Sequence, residues 1–206
     1  GRNGAGKTTS FDMVLGLVKP EKGTIRVGDA DMTKLSIHKR SRLGVGYLPQ
    51  ENSTFRKLTV YENMQMILEL RNIPKKQQRE KIINLLSQFS LEHLETVQAV
   101  QLSGVERRRL EIARTLAAEP EFILLDEPFT GLDRNASESL ANLLAALSEE
   151  GRLILSSHHD LDSAPDLFNE CLLLNHSQLG FGPTTEILTP QLIAEAFTTP
   201  DPASDD

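Results

Sequence analysis

The first nine residues carry the clearest chemical pattern in the chain. They read Gly1-Arg2-Asn3-Gly4-Ala5-Gly6-Lys7-Thr8-Thr9, the spacing G-x-x-x-x-G-K-T. Glycines let the backbone turn tightly and bring its N–H groups against phosphate oxygens, because no side chain stands in the way. The lysine of this pattern reaches the β- and γ-phosphates of a nucleotide, and the hydroxyl after it binds Mg²⁺. The pattern therefore predicts that Lys7 and Thr8 bind a magnesium nucleotide.

A pair of acids at the end of an apolar run is the second chemical feature. Asp126 and Glu127 follow Phe122–Leu125 directly. A buried strand that stops at two acids presents both at the carboxyl edge of a sheet, where α/β folds bind ligands. Asp126 is predicted to hold Mg²⁺, mainly through water, and Glu127 to act as general base on an attacking water. An acidic helix start after a strand is the alternative that the pair alone leaves open.

The elements around these residues are predicted from apolar periodicity, capping pairs and chain breakers. The predicted strands are 24–27, 45–48, 122–125, 153–156 and 171–174. The predicted helices are 7–17, 36–42, 59–71, 75–89, 103–118, 134–149, 161–168 and 190–197. Thr59 with Glu62, and Ser103 with Glu106, form capping boxes that start two of these helices. The repeated strand–helix order predicts an α/β fold with a largely parallel sheet.

Composition limits the function classes. The 206 residues include one cysteine, Cys171, which excludes an internal disulfide and fits a reducing compartment. A net charge of −7 argues against a general nucleic-acid binder. No apolar stretch approaches the roughly 18 residues of a membrane span, and the start does not read as a signal peptide. A loop of this kind also needs a strand leading into it, so we expect at least one strand upstream of Gly1 to be missing from the sequence.

The segment Leu102-Ser103-Gly104-Val105-Glu106-Arg107-Arg108-Arg109, between the glycine loop and the acid pair, resembles the signature segment of ATP-binding-cassette (ABC) ATPases. The resemblance covers essentially the whole chain. It implies a RecA-like P-loop NTPase domain over 1–206, with core segments 1–50 and 119–197. A helical subdomain at about 51–118 would be inserted between them, and an acidic disordered tail at 198–206 would follow.

The resemblance also implies how such a domain works. ATP and Mg²⁺ would lie between two copies joined head to tail, with Ser103 and Gly104 of one copy on the γ-phosphate bound by the other. Integral membrane subunits would be the further partners, so the protein would act in the cytoplasm on the inner face of the plasma membrane. Gln50 would belong to the Q-loop, and Gly131-Leu132-Asp133 to the D-loop that crosses to the second copy. His159 would be the switch histidine, with His158 as the alternative.

Three sets of site residues follow from these matches. The implied catalytic residues are Glu127, His159 and Gln50. The implied Mg²⁺ ligands are Thr8, Gln50 and Asp126. The implied nucleotide-binding residues are Gly1, Asn3, Gly4, Ala5, Gly6, Lys7, Thr8, Thr9, Ser103, Gly104 and Asp133.

Two segments narrow the resemblance within the family: Gly46-Tyr47-Leu48-Pro49-Gln50-Glu51 and Phe55-Arg56-Lys57-Leu58-Thr59-Val60. With them, residues 1–133 are most similar to the lipopolysaccharide-export ATPases. The stretch from Gly180 to Phe197 looks more like ATPases of metal-ion importers. Val105 departs from the signature, which has a second glycine there, and a bulky β-branched residue beside a phosphate predicts weaker dimerisation or slower turnover. A soluble ABC ATPase of DNA repair or translation, and a non-hydrolysing relative, are the rival classes. The roughly 95 residues between loop and signature are too few for the long coiled coil of repair types, and a single cassette does not fit the translation types.

Overall fold

The computed structural model describes residues 6–198, which divide into two compact units. One unit contains residues 6–34 and 158–198, and the other contains residues 35–157. Four of the predicted nucleotide-binding residues, Gly1, Asn3, Gly4 and Ala5, lie outside the described residues. Positions 199–206 of the predicted tail lie outside them as well.

The described residues form short strands and helices in alternation. The strands are β1 Arg26–Val27, β2 Ala30–Asp31, β3 Val45–Leu48, β4 Phe122–Asp126, β5 Leu153–Ser157, β6 Glu170–Asn175 and β7 Ser177–Pro183. The helices are α1 Lys7–Leu15, α2 Ile37–Arg42, α3 Val60–Leu70, α4 Lys75–Gln88, α5 Gly104–Ala117, α6 Arg134–Glu149, α7 Ala164–Leu167, α8 Thr184–Ile187 and α9 Pro190–Phe197. The predicted bounds of β3, α6 and α9 are confirmed, and most others shift by a few residues at their ends.

The larger unit contains a parallel sheet in the order β3-β4-β5. Its central strand, β4, is buried along Phe122–Leu125, as the apolar run predicts. Gly46 in β3 allows a close approach, because a Cβ atom there would lie 2.8 Å from the Cβ atom of Pro120. The register of β4 and β5 pairs Asp126 with Ser157. The last residues of two neighbouring strands therefore stand side by side at the carboxyl edge of the sheet.

Helices α3, α4 and α5 of the same unit pack on one another around a core that continues to the sheet. Both predicted capping boxes are present, at Thr59 with Glu62 and at Ser103 with Glu106. Burial of apolar residues on the inner faces of these helices, such as Leu68, supplies the main driving force for their packing. The signature segment is thereby carried by a helix that is fixed at its start and buried along one face.

The smaller unit contains α1 and two antiparallel strand pairs, β1 with β2 and β6 with β7. The predicted strand Cys171–Leu174 lies within β6, which runs antiparallel to β7 and so is an exception to the largely parallel sheet that the strand–helix order predicts. His176, at φ 59°, makes the tight turn between them, and a connection this short permits only antiparallel neighbours. Gly180 of β7 packs on Ile187 of α8.

Two further local results complete the fold. The predicted helix 7–17 ends at Leu15, because Gly16 adopts the left-handed conformation that caps α1. Among residues 6–198, no helix combines the length and the apolar character that a bilayer crossing requires.

Candidate functional site

The Q-loop glutamine and the predicted general base are in contact. Gln50 follows β3 and Glu127 follows β4, and the two strands are parallel neighbours, so both side chains start at the same edge of the sheet. Gln50 Nε2 donates a hydrogen bond to Glu127 Oε2 at 3.2 Å, and Thr130 Oγ1 lies 3.4 Å from the same oxygen. The structure thus brings together two of the three predicted catalytic residues and fixes the direction of the carboxylate.

A serine joins the two acids at the end of β4. Ser157 Oγ donates to Asp126 Oδ1 at 2.5 Å and accepts a hydrogen bond from the Glu127 N–H at 2.9 Å. Ser157 is 6% exposed, whereas Asp126 and Glu127 are half-buried. One buried hydroxyl therefore links the predicted metal ligand to the backbone of the predicted general base.

The backbone at Glu127 is unusual. Its φ is 48°, in the left-handed region that residues with a side chain rarely occupy. Such a conformation costs on the order of 1–3 kcal/mol and persists where neighbours hold it. Arg108 supplies part of that hold, since its Nη2 donates to the carbonyls of Asp126 at 3.0 Å and Glu127 at 3.1 Å.

Arg108 also connects the signature helix to the Q-loop. Its Nη1 donates to the carbonyl of Pro49 at 2.9 Å and pairs with Glu111 Oε2 at 3.2 Å. The other oxygen of Glu111 accepts from the Ser53 N–H at 2.8 Å. Arg108 and Glu111 are both buried. Their opposite charges and their hydrogen bonds to backbone groups offset the cost of removing both charges from water. The pair holds α5, the Q-loop and the acid pair in one arrangement.

The predicted signature serine caps its own helix. Ser103 donates from both its N–H and its hydroxyl to Glu106 Oε2, each at 2.8 Å, and its Oγ accepts from the Glu106 N–H at 3.3 Å. These hydrogen bonds lower the pKa of the Glu106 carboxyl below its ordinary value. Ser103 and Gly104 are exposed at the helix start. Val105 lies in the first turn of α5 with ordinary helical φ, so the larger penalty of a positive φ does not arise there.

A cleft of about 190 Å³ in the larger unit collects several of these groups. The residues that line it are Gln50, Asn52, Gly104, Arg107, Arg108, Glu111, Glu127, Thr130 and Gly131. The predicted D-loop residue Asp133 accepts from the Ala136 N–H at 2.8 Å and so starts α6 as its N-cap. The Q-loop, signature and D-loop segments of one chain thus border a single cleft.

The described part of the glycine loop lies at the start of α1 in the smaller unit. Gly6 has φ 93°, which favours glycine at this position, and its carbonyl accepts from the Ser10 N–H at 2.9 Å. Lys7 is half-buried at the first position of the helix, and Thr8 and Thr9 are exposed beside it. N–H groups at a helix start, together with a lysine and hydroxyls, form a set of groups that fits a phosphate.

The two candidate switch histidines differ in their surroundings. His158 is half-buried, with Nε2 2.9 Å from Ser163 Oγ and its ring 5.4 Å from that of Phe168. The Ser163 hydroxyl donates to Asp160 Oδ2 at 2.7 Å, and this bond lowers the pKa of the Asp160 carboxyl. His159 is exposed. His158 therefore packs within its own loop, whereas the side chain of His159 is accessible. This difference favours His159 as the histidine that contacts a ligand.

The donor set of the predicted metal site fits Mg²⁺ in its chemistry. Thr8, Gln50 and Asp126 all offer hard oxygen atoms, the ligand type that Mg²⁺ prefers. The Ser157 hydroxyl donates to Asp126 Oδ1, and no hydrogen bond to Oδ2 is present among the described residues. Among residues 6–198 there is no cluster of three or more His, Cys, Asp or Glu that could hold a different metal.

Ser157 and Arg108 were not identified as site residues from the sequence. Ser157 is one of several serines near the end of a predicted strand, and only the register of β4 with β5 distinguishes it. Arg108 lies in a run of three arginines, and the run alone does not tell which one faces inward. A signal for Arg108 lies in the helical spacing, because position 108 is four residues before the buried Ile112 and so shares its face of the helix.

Comparison with known proteins gives a consistent result. The family model described as ABC transporter matches residues 1–130. The lipopolysaccharide export system ATP-binding protein LptB of Escherichia coli K12 is 41% identical over 199 residues, covering 96% of this chain and 83% of that protein. LptB of Haemophilus influenzae is 42% identical over 180 residues, covering 87% and 75%. The structure of cbiO1 from Clostridium perfringens, part of the transporter complex cbiONQ, has a TM-score of 0.81 at 26% identity, covering 95% and 79%.

Proposed function

The chain belongs to the ABC transporter family as an ATP-binding subunit, and from that premise we propose that it hydrolyses MgATP between two copies to drive lipopolysaccharide export. The observation that carries the enzymatic part is the contact of Gln50 with Glu127, beside Ser157 and Asp126. The export assignment comes from the LptB relatives, whose similarity extends over 96% of the chain. Similarity over this length favours lipopolysaccharide export over metal-ion import, because the sequence pattern that resembles importer ATPases is limited to residues 180–197.

The first step in the proposed mechanism is phosphate binding by the start of α1. Lys7 neutralises charge on the β- and γ-phosphates, while helix N–H groups donate to their oxygens. Thr8, Gln50 and Asp126 would hold Mg²⁺, which when bound neutralises phosphate charge as it builds up during transfer. Binding of the triphosphate therefore depends on fixed positive and dipolar groups of this chain.

The proposed hydrolysis step is centred on Glu127. A water molecule attacks the γ-phosphorus in line, the bond to the β-phosphate oxygen breaks, and Glu127 takes the proton that the water loses. Gln50 and Thr130 hold the carboxylate in place, so the base does not have to reorganise during the reaction. His159 is proposed to hold the γ-phosphate and water. The products are ADP and inorganic phosphate.

Coupling to transport is proposed to use a second copy and membrane subunits. Ser103 and Gly104 at the start of α5 would bind the γ-phosphate held by the partner copy, and Asp133 would cross toward that copy. The hydroxyl of Ser103 would then turn from Glu106 to the phosphate. Loss of the γ-phosphate would remove the group that joins the copies. The subunit is proposed to work at the inner face of the plasma membrane through its membrane partners.

The test of the enzymatic proposal is Glu127→Gln. This change removes the proton acceptor but preserves shape, so ATP binding should persist while hydrolysis falls by about 10²- to 10⁴-fold. Steady-state phosphate release and equilibrium binding of a fluorescent ATP analogue measure the two properties separately. Glu149→Gln, an exposed acid at the end of α6, is the matched control and should retain the wild-type rate. Near-normal turnover in Glu127→Gln would remove Glu127 from its proposed role.

The cargo requires a separate experiment. The tagged full-length protein should co-purify with membrane subunits of a lipopolysaccharide exporter, identified by mass spectrometry. Its depletion should leave lipopolysaccharide in the inner membrane. Co-purification with importer subunits instead would reassign the cargo and leave the ATPase proposal intact.

A further inference from the structure

The hydroxyl of Ser157 has a position that none of the predicted site residues accounts for. It is buried at the end of β5, opposite Asp126 in the parallel register. Its single hydrogen goes to Asp126 Oδ1 at 2.5 Å, and a lone pair accepts the Glu127 N–H at 2.9 Å. A hydroxyl can serve as donor and acceptor at once, and here it does both between the two acids.

Glu127 needs such a partner because of its backbone. At φ 48° the residue is held in an uncommon conformation, and the direction of its Cα–Cβ bond depends on that angle. Arg108 fixes the carbonyl side of the peptide, and Ser157 fixes its N–H. Without the serine oxygen, that N–H would have to find another acceptor. The backbone would then be free to relax toward ordinary φ and to carry the carboxylate away from Gln50.

Asp126 depends on the same hydroxyl for a different reason. A hydrogen bond to one carboxylate oxygen fixes the rotation of the group and leaves the other oxygen in a defined direction. Partners of this kind, one step behind a metal ligand, commonly change metal affinity when they are removed. Ser157 is therefore placed to affect the orientation of both acids through one atom.

We propose that Ser157 is a positioning residue of the nucleotide site, which sets the metal-facing oxygen of Asp126 and the carboxylate of Glu127 together. The inference rests on the proposed function, because it assigns Asp126 and Glu127 the roles given above. It adds a specific expectation: loss of one hydroxyl should weaken metal–nucleotide binding and also slow hydrolysis, whereas loss of the Glu127 carboxylate slows hydrolysis alone.

The experiment compares Ser157→Ala with wild type in the full-length protein. Mn²⁺ serves as a spectroscopic substitute for Mg²⁺, and electron paramagnetic resonance of free Mn²⁺ in the presence of ADP gives the binding constant without any hydrolysis. We expect metal–nucleotide affinity to fall by about 10- to 100-fold, the usual range for such partners. The Mg²⁺ concentration for half-maximal ATPase rate should rise in parallel, and kcat should fall.

Two further comparisons separate positioning from folding. Ser157→Thr keeps the hydroxyl, and Ser157→Val has the shape of threonine without the hydroxyl. The threonine variant should therefore retain most of the metal–nucleotide affinity, and the valine variant should bind as weakly as Ser157→Ala. Ser156→Ala is the matched neighbour and should bind as wild type, because among residues 6–198 the Ser156 hydroxyl hydrogen-bonds only to the Ser157 carbonyl. Thermal unfolding of each variant checks that the fold is kept.

Each result has a defined meaning. Equal Mn²⁺–ADP affinity in Ser157→Ala and wild type would overturn the role of Ser157, and so would equal affinities of the Thr and Val variants. Wild-type binding without hydrolysis would refute the ATPase proposal, while the binding comparison would still decide the role of Ser157. A wild-type protein that binds no metal nucleotide would refute both.

Discussion

Among single residues, Val105 departs from the family's signature pattern, and the structure excludes one of the two ways in which it could impair the site. The residue lies in the first turn of α5 with helical φ, so its N–H keeps the direction that a glycine would give it. What remains is bulk, since a half-buried β-branched side chain stands directly after Ser103 and Gly104. Impaired turnover therefore stays a prediction, now with steric crowding as its single cause.

Val105→Gly tests that cause with two readouts that should move in opposite directions. Removing the side chain should raise the ATPase rate several-fold, because it clears the approach to Ser103. It should also lower the free energy of unfolding by less than about 1 kcal/mol, since glycine is the poorer helix former. Rates are measured at saturating MgATP and stability by urea unfolding.

The control for this change is Val100→Gly, in the short 3-10 turn before α5. It removes a similar side chain outside the signature and should leave the rate unchanged. A Val105→Gly protein with wild-type turnover would show that the bulk at this position has no effect on the reaction.

Two helices of the larger unit start with the same device, which allows a comparison between elements. Thr59 caps α3 and Ser103 caps α5, each in a complete capping box. Thr59→Ala and Ser103→Ala should each lower the free energy of unfolding by about 0.5–2 kcal/mol, because each leaves helix N–H groups without an acceptor. Only Ser103→Ala should also lower the ATPase rate, since only α5 is proposed to meet the γ-phosphate of another copy.

Urea unfolding and phosphate release on the same preparations measure both effects. Thr59→Ala is the matched control for the stability change. Equal loss of rate in the two variants would attribute the Ser103 effect to helix stability, and the proposed contact with nucleotide would lose its support.

The elements also show how far the sequence could be interpreted. Apolar runs, capping boxes and glycine stops gave β3, α5 and α6 almost to the residue, because those signals are local. Strand pairing is not local, so the strand–helix order predicts a largely parallel sheet, as in β3-β4-β5, but not the antiparallel hairpin of β6 with β7. The resemblance implies Gln50 and Glu127 as catalytic residues, but their direct contact depends on the pairing of β3 with β4, and the position of Ser157 depends on the register of β4 with β5.

For the whole molecule, the acid pair, Gln50 and the start of α5 belong to one compact unit of a single chain. In that unit Ser103 is exposed and its hydroxyl donates to Glu106, so a phosphate held by another copy would be a further partner for it. The proposed sandwich of ATP between two copies would supply that partner. In this arrangement, two copies of the chain would associate when ATP is bound and separate once hydrolysis has removed the γ-phosphate.

Glu127→Gln with MgATP should therefore shift the full-length protein from monomer to dimer, because the bridging γ-phosphate is no longer cleaved. Light scattering coupled to size-exclusion chromatography measures the mass directly. ADP should leave the protein monomeric, since it lacks the bridging group, and adding Lys7→Ala to the variant should prevent the shift by weakening triphosphate binding. A Glu127→Gln protein that stays monomeric with excess MgATP, both alone and with its membrane subunits, would rule out the two-copy mechanism while leaving nucleotide binding by each copy untouched.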